Sequence, residues 1–162
     1  GAAGDGGAEL AQRVTSCLQG AGLPARLGPG MDGWLKYHFA FVGPIAGAIM
    51  AAGGDLTAVA ADAGALRRFQ RGCRQAGDVL ATLGHTRRQP FIFNLFYWTP
   101  EFLAPKVFAP IFASRFAQVA FGLHMNAIGS EMWELRQEFA SLQAKAGLET
   151  PELDELLEHI PR

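Results

Sequence analysis

The sequence predicts an all-α domain, a multi-helix bundle with a long central helix, and three observations carry that expectation. No stretch of any length alternates apolar and polar residues with the two-residue period of a strand. Apolar residues recur at helical spacing instead, as at Leu10, Val14, Cys17 and Leu18 and again at Leu153, Leu156, Leu157 and Ile160. Glycines and prolines fall between these runs, where helices stop. With 162 residues, 49% of them hydrophobic and 18% charged, the chain has the length of one domain with a core of its own.

The elements follow in order. Residues 1–7, Gly-Ala-Ala-Gly-Asp-Gly-Gly, read as a flexible linker or remnant, and residues 8–162 as a single helical domain. A first amphipathic helix carries Leu10 to Leu18 and stops at Gly20 and Gly22; the stretch Leu23 to Gly30, with Pro24 and Pro29, is an extended connector. Asp32 is expected to cap an apolar helix that ends at Gly53-Gly54, and within it Gly43 and Gly47 form a small-xxx-small pair suited to close helix packing. Its apolar run from Tyr37 to Ala52 is shorter than the roughly 20 residues a bilayer crossing needs and is interrupted by Pro44, so it reads as a buried core helix rather than a membrane span. Asp55 or Thr57 starts a short helix. A longer one from about Gly64 to Leu83 turns Leu66, Phe69, Cys73, Val79 and Leu80 inward and ends at Gly84.

Ten of the seventeen aromatic residues lie between Phe91 and Phe121, interrupted by Pro100, Pro105 and Pro110. Proline removes a helix donor and clashes with the preceding turn, so short, kinked helical pieces forming core or subunit interface are expected there. From about Ala113 to Ala146 no proline occurs, which predicts one long helix. Thr150-Pro151-Glu152 then supplies an N-cap, a proline at the first helical position and an acid in the first turn of a last helix that Pro161 ends.

Charge excludes some partners. A formal net charge of -1 gives no global basic field, so no nucleic-acid partner is expected. Arg67, Arg68, Arg71, Arg74, Arg87 and Arg88 make a basic middle, and Arg67, Arg71 and Arg74 share one helical face, read either as a solvated stripe or as a contact for phosphate or an acidic partner. Cys17 and Cys73 match no metal-ligand spacing and behave as small hydrophobes in helical runs, which points to a reduced, cytoplasmic setting. His38, His85, His124 and His159 show no metal spacing either, and no serine sits in a nucleophile turn.

The first candidate for chemistry is Lys36, one of only three lysines against eleven arginines, at the head of the apolar run. An ammonium beside a buried helix needs a carboxylate, an oxyanion or water, and its movable pKa suits proton transfer better than a guanidinium does.

The order Trp34-x-Lys36, a buried helix with Pro44, a glycine-ended helix near Gly84, a long helix carrying Glu131, and Ala146-Gly147-Leu148-Glu149-Thr150-Pro151 before a short amphipathic helix resembles the C-terminal domain of the ketopantoate reductase (2-dehydropantoate 2-reductase) family, over about residues 9 to 160. The resemblance implies the fold of the 6-phosphogluconate dehydrogenase C-terminal domain. It also implies a 2-oxo acid substrate, NADPH held by an N-terminal Rossmann domain absent from this chain, and a homodimer. Lys36 would donate the proton to the substrate carbonyl, and Glu131, sixteen residues before Gly147, would orient the substrate. Where the family has asparagines after its lysine, this chain has Ala40 and Val42-Gly43, and Pro44 leaves the Ala40 carbonyl without its helical donor. Ala40, His124 and Asn126 are therefore the further substrate contacts expected, while Gln75 stands where the family often has a glutamate. The alternative reading is a helical binding or oligomerisation module that kept the scaffold without the chemistry, with a filled cleft at Ala40 and Pro44 and an apolar self-interface in the aromatic segment.

Overall fold

The computed structural model describes residues 5–28, 31–86, 90–122 and 129–162, and every regular element among them is helical. Helix α1 spans Asp5–Gly20, α2 Met31–Ala51, α3 Leu56–Ala61 and α4 Ala63–Thr82. Three of the four close with the same turn. Leu23 N–H donates to the Leu18 carbonyl, Gly54 to Ile49 and His85 to Leu80, across glycines at positive φ (Gly22 76°, Gly53 67°, Gly84 90°) that side chains would strain. Asp62 joins α3 to α4: its N–H closes α3 on the Ala58 and Val59 carbonyls, and its carboxylate accepts from Gly64 and Ala65 N–H to open α4. Asp55 opens α3 in the same way by accepting from Thr57 N–H at 2.8 Å.

The aromatic segment is broken as its prolines dictate. A 3₁₀ turn at Phe91–Asn94 leads into the single-turn helix α5 (Leu95–Trp98), and a second 3₁₀ turn at Glu101–Leu103 into α6 (Ala104–Phe112). The helix expected from about Ala113 begins at Arg115, where the Ser114 hydroxyl accepts from Ala117 N–H at 3.1 Å and opens α7 (Arg115–Ala117), which runs into a π-helical turn over Gln118–Gly122. Helix α8 covers Gly129–Ala146 and α9 Pro151–Glu158.

The long central element is α4. It packs against α2, α3, α5, α6, α8 and α9, and its Leu66, Phe69, Cys73, Val79 and Leu80 are buried, all on the inward face expected of them. Phe69 meets Phe96, Phe108 and Phe112 edge-on with ring centroids 5.1 to 5.7 Å apart, the favoured geometry for aromatic quadrupoles. Burial pushes the Cys73 thiol well above its ordinary range, since a thiolate would be desolvated there.

Helix α9 lies in a seat of glycines. A Cβ on Gly47 would collide with the Leu156 carbonyl, one on Gly72 would come within 2.6 Å of Leu156 Cδ1, and one on Gly43 within 3.3 Å of Leu157 Cδ2. The Gly43 and Gly47 pair does bring helices together as its spacing suggests, with α9 as the partner.

Helix α1 behaves otherwise. It takes in Asp5, Gly6 and Gly7 from the stretch expected to be linker, and its apolar residues do not reach the core: Leu10 is 60% exposed, Val14 50% and Leu18 39%, with Cys17 exposed beside them. No helix among the described residues is long and apolar enough to cross a membrane.

Candidate functional site

Lys36 lies in the second turn of α2, and its ammonium pairs with the Asp32 carboxylate one turn earlier. Asp32 is the second residue of α2, in its first turn rather than ahead of it, where an acid suits the positive end of the helix. The hydrogen bond from Lys36, assisted by the charges of Lys36 and His85, holds the Asp32 carboxyl below its usual range. His85 comes from the loop after α4. It packs beside Gly33, and its carbonyl accepts from the Tyr37 hydroxyl at 2.6 Å, which ties the head of α2 to the end of α4. On the next face of α2, His38 stacks on Trp34 with ring centroids 4.8 Å apart, and loss of solvent lowers its pKa from the ordinary 6.5.

Glu131 is exposed in the first turn of α8, and the carboxylate on Lys36 is that of Asp32. Helices α2 and α8 do meet, through Phe39 and Phe139 at 5.1 Å. Ala40 is wholly buried (0% exposed), and Pro44 beside it is buried too, so the packing there is filled. His124 and Asn126, like Arg87 and Arg88, lie outside the described residues.

A shallow apolar groove lies where α2, α4, α5 and α6 meet. Its closed space is about 30 Å³, room for a water or two, between Phe41 and Ile45 of α2, Phe69 of α4, Phe96 of α5, and Phe108 and Ile111 of α6. Other rings of the same segment stand out to solvent: Phe91 is 73% exposed, Trp98 61%, Phe102 71% and Phe116 75%, and Phe91 and Trp98 lean edge-on at 5.3 Å. The aromatic segment is thus divided. Phe93, Phe96, Phe108 and Phe112 are core, and their neighbours in sequence are exposed rings of the type enriched at interfaces. This groove offers hydrocarbon and ring faces but no charged or hydrogen-bonding side chain. It does not fit NADPH, whose pyrophosphate needs donors and whose usual seat is a loop between strand and helix. No three histidine, cysteine or acidic side chains among the described residues gather as a metal would require.

The arginine face of α4 and the glutamine beside it are turned to internal work that their composition does not reveal. Arg71 bonds Glu101 at 2.5 Å, and its Nε lies 2.8 Å from Glu152, close enough for attraction but not aligned as a hydrogen bond. Arg74 donates to the carbonyls of Phe96 and Thr99, at 2.5 and 2.6 Å. Gln70, fully buried, donates to the same two carbonyls at 2.9 and 2.6 Å, while its Oε1 has no partner among the described residues. Gln75 caps α9 from another helix: its Oε1 accepts from Leu153 N–H at 2.9 Å and its amide donates to Glu152. Thr150 holds the N-cap position but makes no capping bond, its hydroxyl being held by Gln143 and Asp154 instead. The only signal for these clamps in the sequence is the polar i, i+4 and i+5 series Gln70, Arg74, Gln75 along an otherwise apolar side of α4.

Compared with known proteins, the chain matches no family model, no curated protein and no solved structure.

Proposed function

We propose that this chain is a binding and assembly module that works through its aromatic face, with a second copy of the chain as the partner. The observation that carries the reading is the exposure of Phe91, Trp98, Phe102 and Phe116, four large rings of one segment each uncovered by more than half. Rings are costly to leave in water, at roughly 25 cal/mol per Å² of apolar surface, and interfaces are enriched in them. The filled packing at Ala40 and Pro44 and the pairing of Lys36 with Asp32 are what such a module would have in place of a substrate cleft. Sedimentation of the triple variant Phe91→Ser, Phe102→Ser, Phe116→Ser tests it. Self-association should weaken at least tenfold with helicity unchanged, and association equal to the parent's would sink the proposal.

A second reading keeps the reductase resemblance and makes this chain the substrate half of an NADPH-dependent 2-oxo acid reductase, with the dinucleotide on a separate nucleotide-binding domain. It draws on the cluster at the head of α2, where Lys36, Asp32 and His85 lie together and a lysine ammonium has a carboxylate to exchange a proton with. In that reading Lys36 protonates the substrate oxygen and Glu131 orients the substrate. With the chain joined to its nucleotide domain, Lys36→Ala should abolish 2-oxo acid-dependent NADPH oxidation; turnover equal to the parent's removes the proton-donor role.

A further inference from the structure

A line of polar side chains runs from the 3₁₀ turn at Glu101 across α4 to the start of α9, and it passes through one guanidinium, that of Arg71. We propose that Arg71 is a two-position swivel. It holds Glu101 of the aromatic segment in the arrangement described, and it turns onto Glu152 of α9 when Glu101 is drawn away, so that opening one contact tightens the other. The coupling works within one copy of the chain and stands whether or not copies associate.

The guanidinium has two acids beside it and is oriented for one. Its Nη1 donates to Glu101 Oε1 at 2.5 Å, whereas its Nε, buried and 2.8 Å from Glu152 Oε1, makes no aligned hydrogen bond. Distance is not what the second contact lacks; direction is. The donors of a guanidinium are fixed in one plane, so the plane that serves Glu101 also sets where the Nε–H points. A buried donor in that condition has lost its water without a replacement, and a turn of the plane toward Glu152 supplies one.

Glu152 is placed to receive that donor. Its Oε2 is taken by the Gln75 amide, and its Oε1 faces Arg71 Nε. Gln75 in turn accepts from Leu153 N–H at 2.9 Å, the bond that caps α9 where Thr150 makes none. Glu101, Arg71, Glu152, Gln75 and the Leu153 amide thus form one contiguous line, and Arg71 is the member with two arrangements open to it. The sign of the coupling follows. Two acids that share one cation compete for it and repel each other besides, so losing Glu101 strengthens the hold on Glu152 and steadies the Gln75 cap.

Glu101 is the end of the line open to influence from outside. It precedes Phe102, which is 71% exposed, and its own side chain is 42% exposed against 25% for Glu152. A cationic side chain of a partner resting on Phe102 would take the Glu101 carboxylate and release Arg71 to α9. The neighbouring pair of Arg68 and Glu155, at 3.2 Å, joins α4 to α9 without a second acid on Arg68 among the described residues, and so has no such choice.

Hydrogen exchange followed by NMR on the full chain reads both ends of the line. In Glu101→Ala the Arg71 Nε–H and the Leu153 N–H should each exchange at least threefold more slowly than in the parent, with far-ultraviolet circular dichroism unchanged. In an Arg71→Ala background, where a side chain 37% exposed is removed, adding Glu101→Ala should leave the Leu153 rate as it was. Faster exchange at Leu153 in Glu101→Ala would overturn the swivel, since the two acids would then support each other. Unchanged rates at both protons would overturn it as well, because the guanidinium would not have turned. A slowing at Leu153 that persists without Arg71 would assign the effect to the lost charge alone and remove the swivel. Should Arg71→Ala fail to fold, the Nε–H rate in Glu101→Ala decides by itself, because a turn of the guanidinium is what gives that proton an acceptor.

Discussion

Helix α9 meets α2 and α4 over glycines, whereas residues 91–121 meet the same α4 over Phe69 as well as over Gly77, and the two contacts end differently. Against Gly43, Gly47 and Gly72 the backbone of α9 comes close enough for Leu153, Leu156, Leu157 and Ile160 all to be buried. The aromatic segment is broken near its prolines into two 3₁₀ turns, the single-turn α5 and the nine-residue α6, so its rings point several ways; Phe93 and Phe96 are covered while Phe91 and Trp98 are not. A continuous helix set over small residues can hide one whole stripe. A chain that changes direction near its prolines cannot, and the rings it leaves uncovered are those on which a binding role rests.

Substitutions can break or sharpen this contrast. The floor of the aromatic region should be the most sensitive place in the molecule: Phe69→Ala removes a ring that touches three others and should cost about 4 kcal/mol in denaturant unfolding. Next comes the glycine seat, where Gly47→Ala drives a methyl group into the Leu156 carbonyl and should cost about 3 kcal/mol, its helix-propensity gain notwithstanding. If that variant is as stable as the parent, α9 is not seated as closely as described. Gln75→Ala should cost about 1 kcal/mol by leaving Leu153 N–H uncapped, and hydrogen exchange at that amide should quicken with it. On the open side, Phe102→Ser should change stability by less than ~0.5 kcal/mol while it weakens self-association.

The smallest effect concerns His38. Its folded-state pKa lies below the ordinary 6.5 because the imidazole is partly desolvated, so the charged form is the disfavoured one. Its contribution to stability is therefore complete above pH 6.5 and is lost as the pH falls through the lower folded value. Proton NMR should give a midpoint below 6.5, moving upward in Trp34→Ala, where the stacked indole no longer excludes water.

Much of the fold was legible because the signals were local. Helical period, the glycines at 22, 53, 54 and 84, and Asp55 as a cap each act within a few residues, and the helices they imply are present at nearly the expected bounds. The π-helical turn over Gln118–Gly122 was not legible, because no proline marks the change of helical pitch there. Nor was the fate of α1: a periodic stripe shows that a helix is amphipathic, not that its own chain covers it. The candidate site divides in the same way. That Lys36 needs a carboxylate follows from its chemistry, and Asp32 lies one turn away in sequence. Which distant helix faces it depends on packing over a hundred residues, and so does the employment of Arg71, Arg74 and Gln75 inside the fold.

The paired donors on the Phe96 and Thr99 carbonyls have one further consequence. Gln70 and Arg74 fasten the end of α5 by four hydrogen bonds from two successive turns of α4, so the backbone bearing Phe91 to Phe102 is held by directional tethers as well as by packing. A surface fastened in that way loses little freedom when something settles on it. Ordering an immobilised side chain costs about 0.5–1.5 kcal/mol each at a loose interface. Loosening the tethers should therefore show first as slower capture of a partner, in stopped-flow traces, before any loss of the folded state.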